Sequence, residues 1–239
     1  MASKHVLWCG LAACLPLAAA AGTADYHLDP VHTRVLFAVS HAGFSHALGT
    51  LSGSTGALVF DPDDWSTAKL SVSIPLTRLD MGDAKWNDAV GARNLLDVAE
   101  HPVATFVSTR ITPKDPQHAT VCGTLTLRGL GQDVCLDVTF NQLKHHPMPP
   151  FRRTAGFSAT TKLSRKAFGM DAWPTVIGDE VDLRIEAEAV RGALDDNAPQ
   201  PQAPQPQPQA TPPDQPPGST QPIEPAPPTE PTTEPTQTP

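Results

Sequence analysis

The segment EVDLRIEAEAV (residues 180–190) has the clearest alternation of apolar and charged side chains in the sequence. Its odd-numbered positions, from Val181 to Ala189, are all apolar, and its even-numbered positions, from Glu180 to Glu188, are all charged. Successive side chains of a β-strand point to opposite faces of the sheet. The segment is therefore predicted to be a strand with one buried face and one face in water.

The same period of two recurs in seven earlier segments, so the sequence predicts about eight strands. These segments are residues 35–40, 51–60, 69–75, 104–111, 121–127, 134–140 and 156–163. A short helix is predicted for residues 83–96, between the third and fourth strands. Eight antiparallel strands that each have one apolar face need a shared interior, which a closed barrel or a sandwich provides. The pattern therefore predicts an all-β domain.

The interior of such a domain can be filled in two ways. An eight-stranded barrel is just wide enough to be filled by side chains or to hold one small ligand. The late strands point small residues inward, among them Ala159, Thr161 and Ala187, and aromatic residues make up only 5% of the chain. Small inward residues leave volume, and a ligand would occupy it because an empty apolar cavity is costly. Bulky side chains from the other strands are the alternative filling, and the pattern alone does not decide.

Residues 1–24 have the composition of a secretory signal peptide. One lysine precedes an apolar run over residues 6–21, which is too short for a comfortable membrane span. Small residues near Ala24 suit cleavage by a signal peptidase. In the alternative, LAAC (residues 11–14) is a lipobox and Cys14 carries a lipid anchor. Both alternatives place the protein outside the cytoplasm, and the periplasm is the expected location.

The C-terminal segment, residues 192–239, is predicted to be a disordered tail. It contains 16 of the 27 prolines and almost no large apolar side chain, so little burial would offset the entropy of ordering it. It also carries six acidic residues and no Lys or Arg; without this tail and without Lys4 near the N-terminus, the net charge of −8 becomes −3 for residues 25–191. A nucleic-acid-binding protein would need a basic face, so nucleic acid is not an expected partner. Residues 25–191 are predicted to form one domain.

Cys122 and Cys135 remain in this domain, on two strands predicted to be joined by a turn at GLGQD (residues 129–133). An oxidising compartment favours a disulfide between them. The register that places every large apolar residue on one face pairs Leu127 with Val134. It separates the two cysteines by roughly 13 Å, since a strand rises about 3.3 Å per residue, whereas a disulfide needs Cα atoms within about 7 Å. Two unpaired, outward-facing thiols are therefore expected, and they would allow a homodimer.

The histidines near the N-terminus were considered as metal ligands. A structural zinc site needs four converging ligands and a catalytic site three, and neither an HxxxH helix nor a CxxC motif is present. By parity His41 continues the lumen-facing row of Val35, Phe37 and Val39. His46 follows the bend at Gly43 and is expected to face solvent. No metal site is predicted.

Two other function classes remain as alternatives. A secreted hydrolase could use His41 with Ser45, and Asp29 is a candidate for the third member of a Ser-His-Asp catalytic triad. The chain has no GxSxG motif, so an enzyme is not the preferred interpretation. The third class is a structural platform that docks through the proline-rich tail.

Several blocks of the sequence resemble the YceI-like family, in one order and at sensible spacing, and together they cover essentially all of residues 25–191. These blocks are DYHLDPVHTRVLFAVSHAGFSHALGTLSGSTGALVFDP (25–62), EHPVATFVST (100–109), VCGTLTLRGLGQDVCLDVTF (121–140) and GFSATTKLSRKAFGMDAWPTVIGDEVDLRIEAEAV (156–190). The resemblance implies an eight-stranded antiparallel barrel of lipocalin-like shape, secreted or periplasmic. It also implies that a long isoprenoid or similar amphipathic lipid runs through the barrel, and it brings no catalytic residue and no metal ligand.

The segment AKWNDAVGARNLLDV (residues 84–98) departs from the family pattern. Trp86 stands where the family usually has a basic residue, and Leu95 and Leu96 replace an aromatic pair. If this segment covers the mouth of the barrel, recognition of the lipid head group differs in this protein.

The preferred interpretation is therefore a lipid-binding barrel with no cofactor other than its lipid and no transmembrane span in the mature chain. The predicted ligand-binding residues are the inward-facing side chains Val35, Phe37, Val39, His41, Leu70, Val72, Ile74, Phe106, Leu125, Leu127, Leu136, Val138, Phe140, Phe157, Leu183 and Ile185.

Overall fold

The computed structural model describes residues 22–192 of the 239-residue chain. The predicted signal peptide up to residue 21, the alternative lipid anchor at Cys14 and the predicted tail from residue 193 lie outside the described residues. No helix among the described residues is long and apolar enough to cross a membrane.

The described part of the chain contains eleven strands and one short α-helix. The strands are β1 (Ala24–Leu28), β2 (Arg34–His41), β3 (Ser45–Ser52), β4 (Thr55–Phe60), β5 (Lys69–Pro75), β6 (Leu79–Asp80), β7 (Val103–Asp115), β8 (His118–Leu127), β9 (Leu130–His145), β10 (Arg153–Ser164) and β11 (Ile177–Arg191). The helix α1 is Ala84–Gly91.

The strands form one closed antiparallel barrel. Its ring runs β1, β4, β5, β7, β8, β9, β10 and β11, and it closes because β11 also pairs with β1. The remaining three strands extend three strands of this ring. β2 continues β1 along the same partner, β11, where Leu28 of β1 faces Ala189 and Arg34 of β2 faces Glu186. In the same way β3 continues β4, and β6 continues β5. We call each of the eight lengths of wall a stave. The prediction of an all-β, eight-stranded barrel is confirmed.

The interruption between β1 and β2 has a local cause. The carboxylate of Asp29 accepts hydrogen bonds from the backbone N–H groups of Val31 (2.8 Å) and His32 (3.4 Å). An Asp side chain that bonds the backbone two residues ahead forms a turn in place of extended chain. The chain therefore turns at residues 29–33 and resumes the same stave as β2.

The helix is shorter than the predicted 83–96. Asp83 begins it, since its carboxylate accepts from the backbone N–H groups of Lys85 (2.9 Å) and Trp86 (3.3 Å) and so satisfies two donors that the helix leaves free. It ends at Gly91, where glycine disfavours helix, and turns occupy most of residues 92–100. The second half of the predicted helix is therefore wrong.

The β8–β9 hairpin corrects the prediction for the cysteines. Its turn is Arg128–Gly129, with φ values of 54° and 73°, and Leu127 pairs with Leu130. Two successive residues with positive φ are typical of the two-residue turns that match the twist of a hairpin. The predicted turn at residues 129–133 was wrong. Arg is not a usual residue at positive φ, so the sequence did not indicate a turn at Arg128. The pairing of β8 with β9 is therefore shifted by four residues from the predicted register.

In this register Cys122 lies directly opposite Cys135, with their Cα atoms 3.9 Å apart, and the two sulfurs form a disulfide. The prediction of two unpaired thiols is wrong. The expected route to a homodimer through these thiols also fails, because both sulfurs are bonded within one chain.

The disulfide should stabilise the barrel measurably. It closes a loop with a sequence separation of 13 residues, and a loop of about this length contributes about 2–3 kcal/mol by restricting the unfolded chain. The variant with both Cys122→Ser and Cys135→Ser should therefore have a free energy of unfolding that is lower by about 2–3 kcal/mol. It should also unfold at a lower urea concentration. Unfolding in urea of the oxidised protein, the reduced protein and the double variant measures it. Identical midpoints for all three would contradict the expected contribution.

Candidate ligand cavity

The interior of the barrel contains a cavity of about 670 Å³. Inward-facing side chains from all eight staves line it, and nearly all of them are apolar. Fifteen of the sixteen predicted ligand-binding residues line this cavity: Val35, Phe37, Val39, His41, Leu70, Val72, Ile74, Phe106, Leu125, Leu127, Leu136, Val138, Phe157, Leu183 and Ile185.

The sixteenth, Phe140, belongs to a cluster of aromatic rings at one end of the barrel. Its ring centroid lies 5.2 Å from that of Phe60, and Phe60 in turn contacts Trp65 and Phe157, each at 5.3 Å. The rings meet mostly edge to face, the arrangement that their quadrupoles favour. Phe60, Trp65 and Phe157 face the cavity and form its floor, and Phe140 packs against them without lining it.

Small residues create the volume above this floor. Ala104, Ala159 and Ala187 occupy inward positions where a larger side chain would cross the lumen. Phe37 and Leu183 point inward but are only half-buried, because they face the cavity and not a packed core. The sequence left open whether bulky side chains or a ligand fill the barrel. The shape of the cavity matches a barrel with space for a ligand.

The opposite end of the cavity is its mouth, which α1 and the turn before β11 border. Trp86 on α1 and Trp173 on that turn both line the cavity and are 42% and 49% exposed. The imidazole of His41 lies 5.5 Å from the Trp86 ring, measured between centroids. The helix is held there by a hydrogen bond of 2.7 Å from the backbone N–H of Met81 to Oδ1 of Asn87.

Among the described residues that line the cavity, Arg165 alone has a permanent charge. It is only 3% exposed, and its guanidinium donates to the carbonyl oxygens of Gly178 (2.8 Å), Ile177 (2.9 Å) and Met170. These bonds pin the turn over residues 166–176 to the start of β11. Nearby, the backbone N–H of Lys166 holds the pKa of the Asp179 carboxyl below its ordinary value, with a further contribution from the Ser164 hydroxyl.

Arg165, Trp86 and Trp173 were not among the predicted ligand-binding residues. Arg165 lies between Ser164 and Lys166 outside any alternating segment, so its surroundings in the sequence are those of a solvated loop. Only its position in a block shared with the family pointed to it.

The structure does not assemble the triad considered for a hydrolase. The Asp29 carboxylate bonds Nδ1 of His32 at 2.8 Å, at the start of β2, whereas His41 is at its end. Seven residue steps of about 3.3 Å separate the two ends of that strand. His41 faces Ser45 across the β2–β3 hairpin, and no hydrogen bond joins their side chains in the part of the chain that the structure describes. His46 is exposed, outside the cavity.

One group of side chains on the outside of the barrel has metal-ligand chemistry. Asp29, His32 and Glu188 bring one ligand atom each within 4.8 Å of one another. The hydrogen bond that the Asp29 carboxylate accepts from His32 raises the pKa of the His32 imidazole, which favours the protonated form over the neutral form that ligates a metal. The contact between His32 and Asp29 is part of the β1–β2 turn, where the same carboxylate also accepts from the backbone N–H of Val31.

Comparison with known proteins places these features in context. The family model of the YceI-like domain matches residues 26–189. A protein of Pseudomonas savastanoi pv. phaseolicola named UPF0312 protein is 32% identical over 193 residues, which cover 80% of this chain and 99% of that one.

Solved structures share the fold, among them one from Burkholderia cenocepacia and one from Saccharophagus degradans. The crystal structure of BcnA from Burkholderia cenocepacia matches with a TM-score of 0.58 and 26% identity, covering 65% of this chain and 95% of that chain. A domain from Saccharophagus degradans, described as a polyisoprenoid binding domain, matches with a TM-score of 0.52 and 14% identity over 70% of this chain and 98% of that chain. At that identity the second likeness shows the fold alone.

Proposed function

Because the chain belongs to the YceI-like family, we propose that it is a binding protein that holds one polyisoprenoid, or a similar long amphipathic lipid, inside its barrel. The observation that carries the proposal is the cavity itself, about 670 Å³ in volume and lined almost wholly by apolar side chains. The polyisoprenoid named for the domain of Saccharophagus degradans, which has the same fold, supports this class of ligand.

The energetics of such a site favour a long apolar chain. Each methylene group transferred from water into an apolar site contributes about 0.8 kcal/mol. A long hydrocarbon chain can therefore bind with few polar contacts, and the polar groups need only orient its head. The cavity fits this division, with an aromatic floor at Phe60 and Trp65 and the polar side chains His41 and Arg165 toward the mouth.

We also propose that the protein works outside the cytoplasm. The Cys122–Cys135 disulfide supports this location, because disulfides persist in oxidising compartments and are rare in the cytosol of mesophiles. The signal-like composition of residues 1–24 supports it independently.

The proposal is tested by recovering the ligand. The full chain, purified without detergent, should release one long-chain lipid per protein on organic extraction, and native mass spectrometry should show the complex as a discrete mass increase. A protein that is always recovered without lipid and that binds no added isoprenoid would overturn the proposal. Hydrolysis of ester substrates that is lost in His41→Ala would support the hydrolase in its place.

A further inference from the structure

We propose that the outer rim of the cavity mouth docks on the surface of a lipid bilayer, so that a lipid passes between the bilayer and the barrel without crossing water. This inference rests on the proposed function, since it concerns how the ligand of the same cavity enters and leaves. It adds a surface and a partner that the binding of a lipid does not itself require.

Exposed apolar side chains from three separate segments surround the mouth. Phe44, in the turn between β2 and β3, is 92% exposed, and Val176, in the turn before β11, is 39% exposed. Together with Trp86 of α1 and Trp173 of that turn, they form a surface that we call the rim. A single exposed apolar side chain is ordinary, whereas a group of them gathered in one place marks a site of contact.

Contacts between the three segments gather the rim at one end of the barrel. The backbone N–H of Ala42, in the β2–β3 turn, donates to the carbonyl oxygen of Val176 at 2.6 Å. The backbone N–H of Val176 donates in turn to the carbonyl oxygen of Trp173 at 3.0 Å. On the other side, the ring of His41 lies against that of Trp86. The β2–β3 hairpin is therefore in contact with both of the other segments.

The sequence of the rim suits contact with an apolar medium. HAGFSH (residues 41–46) and AWPTVI (residues 172–177) contain no Lys, Arg, Asp or Glu. A charged group is costly to remove from water, and these segments can approach hydrocarbon without that cost. The loop at the floor end differs, because KHHPMPPFRR (residues 144–153) exposes Met148 and Phe151 among one lysine and two arginines.

The position of the rim favours a bilayer as its partner. Trp86 and Trp173 line the cavity and are also partly exposed, so the lining of the cavity is continuous with the rim. Tryptophan has an apolar ring and a polar N–H group, and it is enriched where a bilayer meets water. A long isoprenoid chain is poorly hydrated, so an apolar route from the bilayer to the cavity avoids exposing each of its methylene groups.

Co-sedimentation with vesicles tests the docking. The purified full chain is mixed with vesicles of phosphatidylcholine, and separately with vesicles of phosphatidylcholine and phosphatidylglycerol in equal amounts, over a series of lipid concentrations. It should bind both kinds of vesicle, because the rim is apolar and does not depend on anionic lipid. The double variant Phe44→Ser, Val176→Ser should bind roughly tenfold more weakly or worse, since two of the apolar side chains that enter the interface are lost.

The rim variant leaves the cavity unchanged, because neither Phe44 nor Val176 lines it. Its affinity for farnesol added from solution should therefore equal that of the wild type. The transfer of a fluorescent isoprenoid from vesicles into the barrel should slow in step with the loss of vesicle binding. The double variant Met148→Ser, Phe151→Ser is the matched control, because it removes two exposed apolar side chains at the floor end, and it should behave as the wild type in all three measurements.

The failure of this inference is distinct from that of the proposed function, because vesicle binding and lipid content are measured separately. Equal vesicle binding by the wild type and the rim variant would overturn the docking surface, while lipid recovered by extraction would leave the proposed function standing. A wild type that binds neither kind of vesicle would also overturn it and would leave a protein as the partner of the rim. Loss of vesicle binding in the floor-end variant alone would move the contact to the opposite end of the barrel and overturn it as well.

Discussion

Gly123→Ala is expected to destabilise the barrel by about 3 kcal/mol or more, a large fraction of the stability of a typical domain. A Cβ atom at position 123 would lie 2.3 Å from the carbonyl oxygen of Val107 and 2.8 Å from the Cα of Ser108. Both are backbone atoms of the paired strand β7, so no side-chain rotation can relieve the overlap. The close approach coincides with a bulge in β7 between Ser108 and Arg110.

Gly156→Ala is the matched control. Gly156 also lies in a strand and next to a bulge, but a Cβ there would meet only the Cβ of Asn141, at 3.8 Å, an ordinary contact. Its free energy of unfolding should change by less than about 1 kcal/mol. Equilibrium unfolding in urea, followed by circular dichroism, measures both variants. Equal midpoints for Gly123→Ala and the wild type would show that β7 can move away and that the predicted clash is relaxed.

The lumen-facing side of most strands could be predicted from the sequence, although the pairing of the strands could not. The predicted β8–β9 register paired Leu127 with Val134, and the structure pairs Leu127 with Leu130. This shift of four residues is even, so each side chain keeps its face, because the faces of a strand alternate with period two. Leu125, Leu127 and Leu136 therefore line the cavity as expected, while the relation between the cysteines changes completely.

The mouth of the cavity could be predicted only in part, through His41 at the end of β2, because no periodic strand carries the rest of it. Trp86 lines the cavity from α1, which is tied to Met81 through Asn87. The guanidinium of Arg165 is buried among three carbonyl acceptors, one on the turn that follows it (Met170) and two at the start of β11 (Ile177 and Gly178). Contacts of this kind depend on loop geometry, and the sequence contains no repeating pattern that encodes it. The breaks in three of the staves also depend on loop geometry. A turn such as that at Asp29 divides one stave into two strands, which lie end to end along the same partner strand.

Ala159→Trp is expected to abolish lipid loading while the barrel remains folded. Ala159 lies in the middle of the wall on β10, between Val138 of β9 and Ile185 of β11, and its side chain faces the cavity. An indole at this position would project into the space that the lipid chain occupies in the proposed complex. The cavity has room for the ring, so the main cost falls on binding and not on folding. The co-purifying lipid should fall at least tenfold, as measured by organic extraction and mass spectrometry.

Thr160→Trp separates obstruction of the cavity from the general effect of a large side chain on β10. Thr160 is the next residue on the same strand and is exposed on the outer face. Because successive side chains point to opposite faces, an indole at position 160 adds the same bulk without entering the lumen, and this variant should carry the wild-type amount of lipid. If both variants lose the lipid, the large side chain acts by disturbing β10 and not by blocking the cavity. A normal lipid load in Ala159→Trp, with the barrel folded as judged by circular dichroism, would mean that the ligand does not occupy the middle of the lumen.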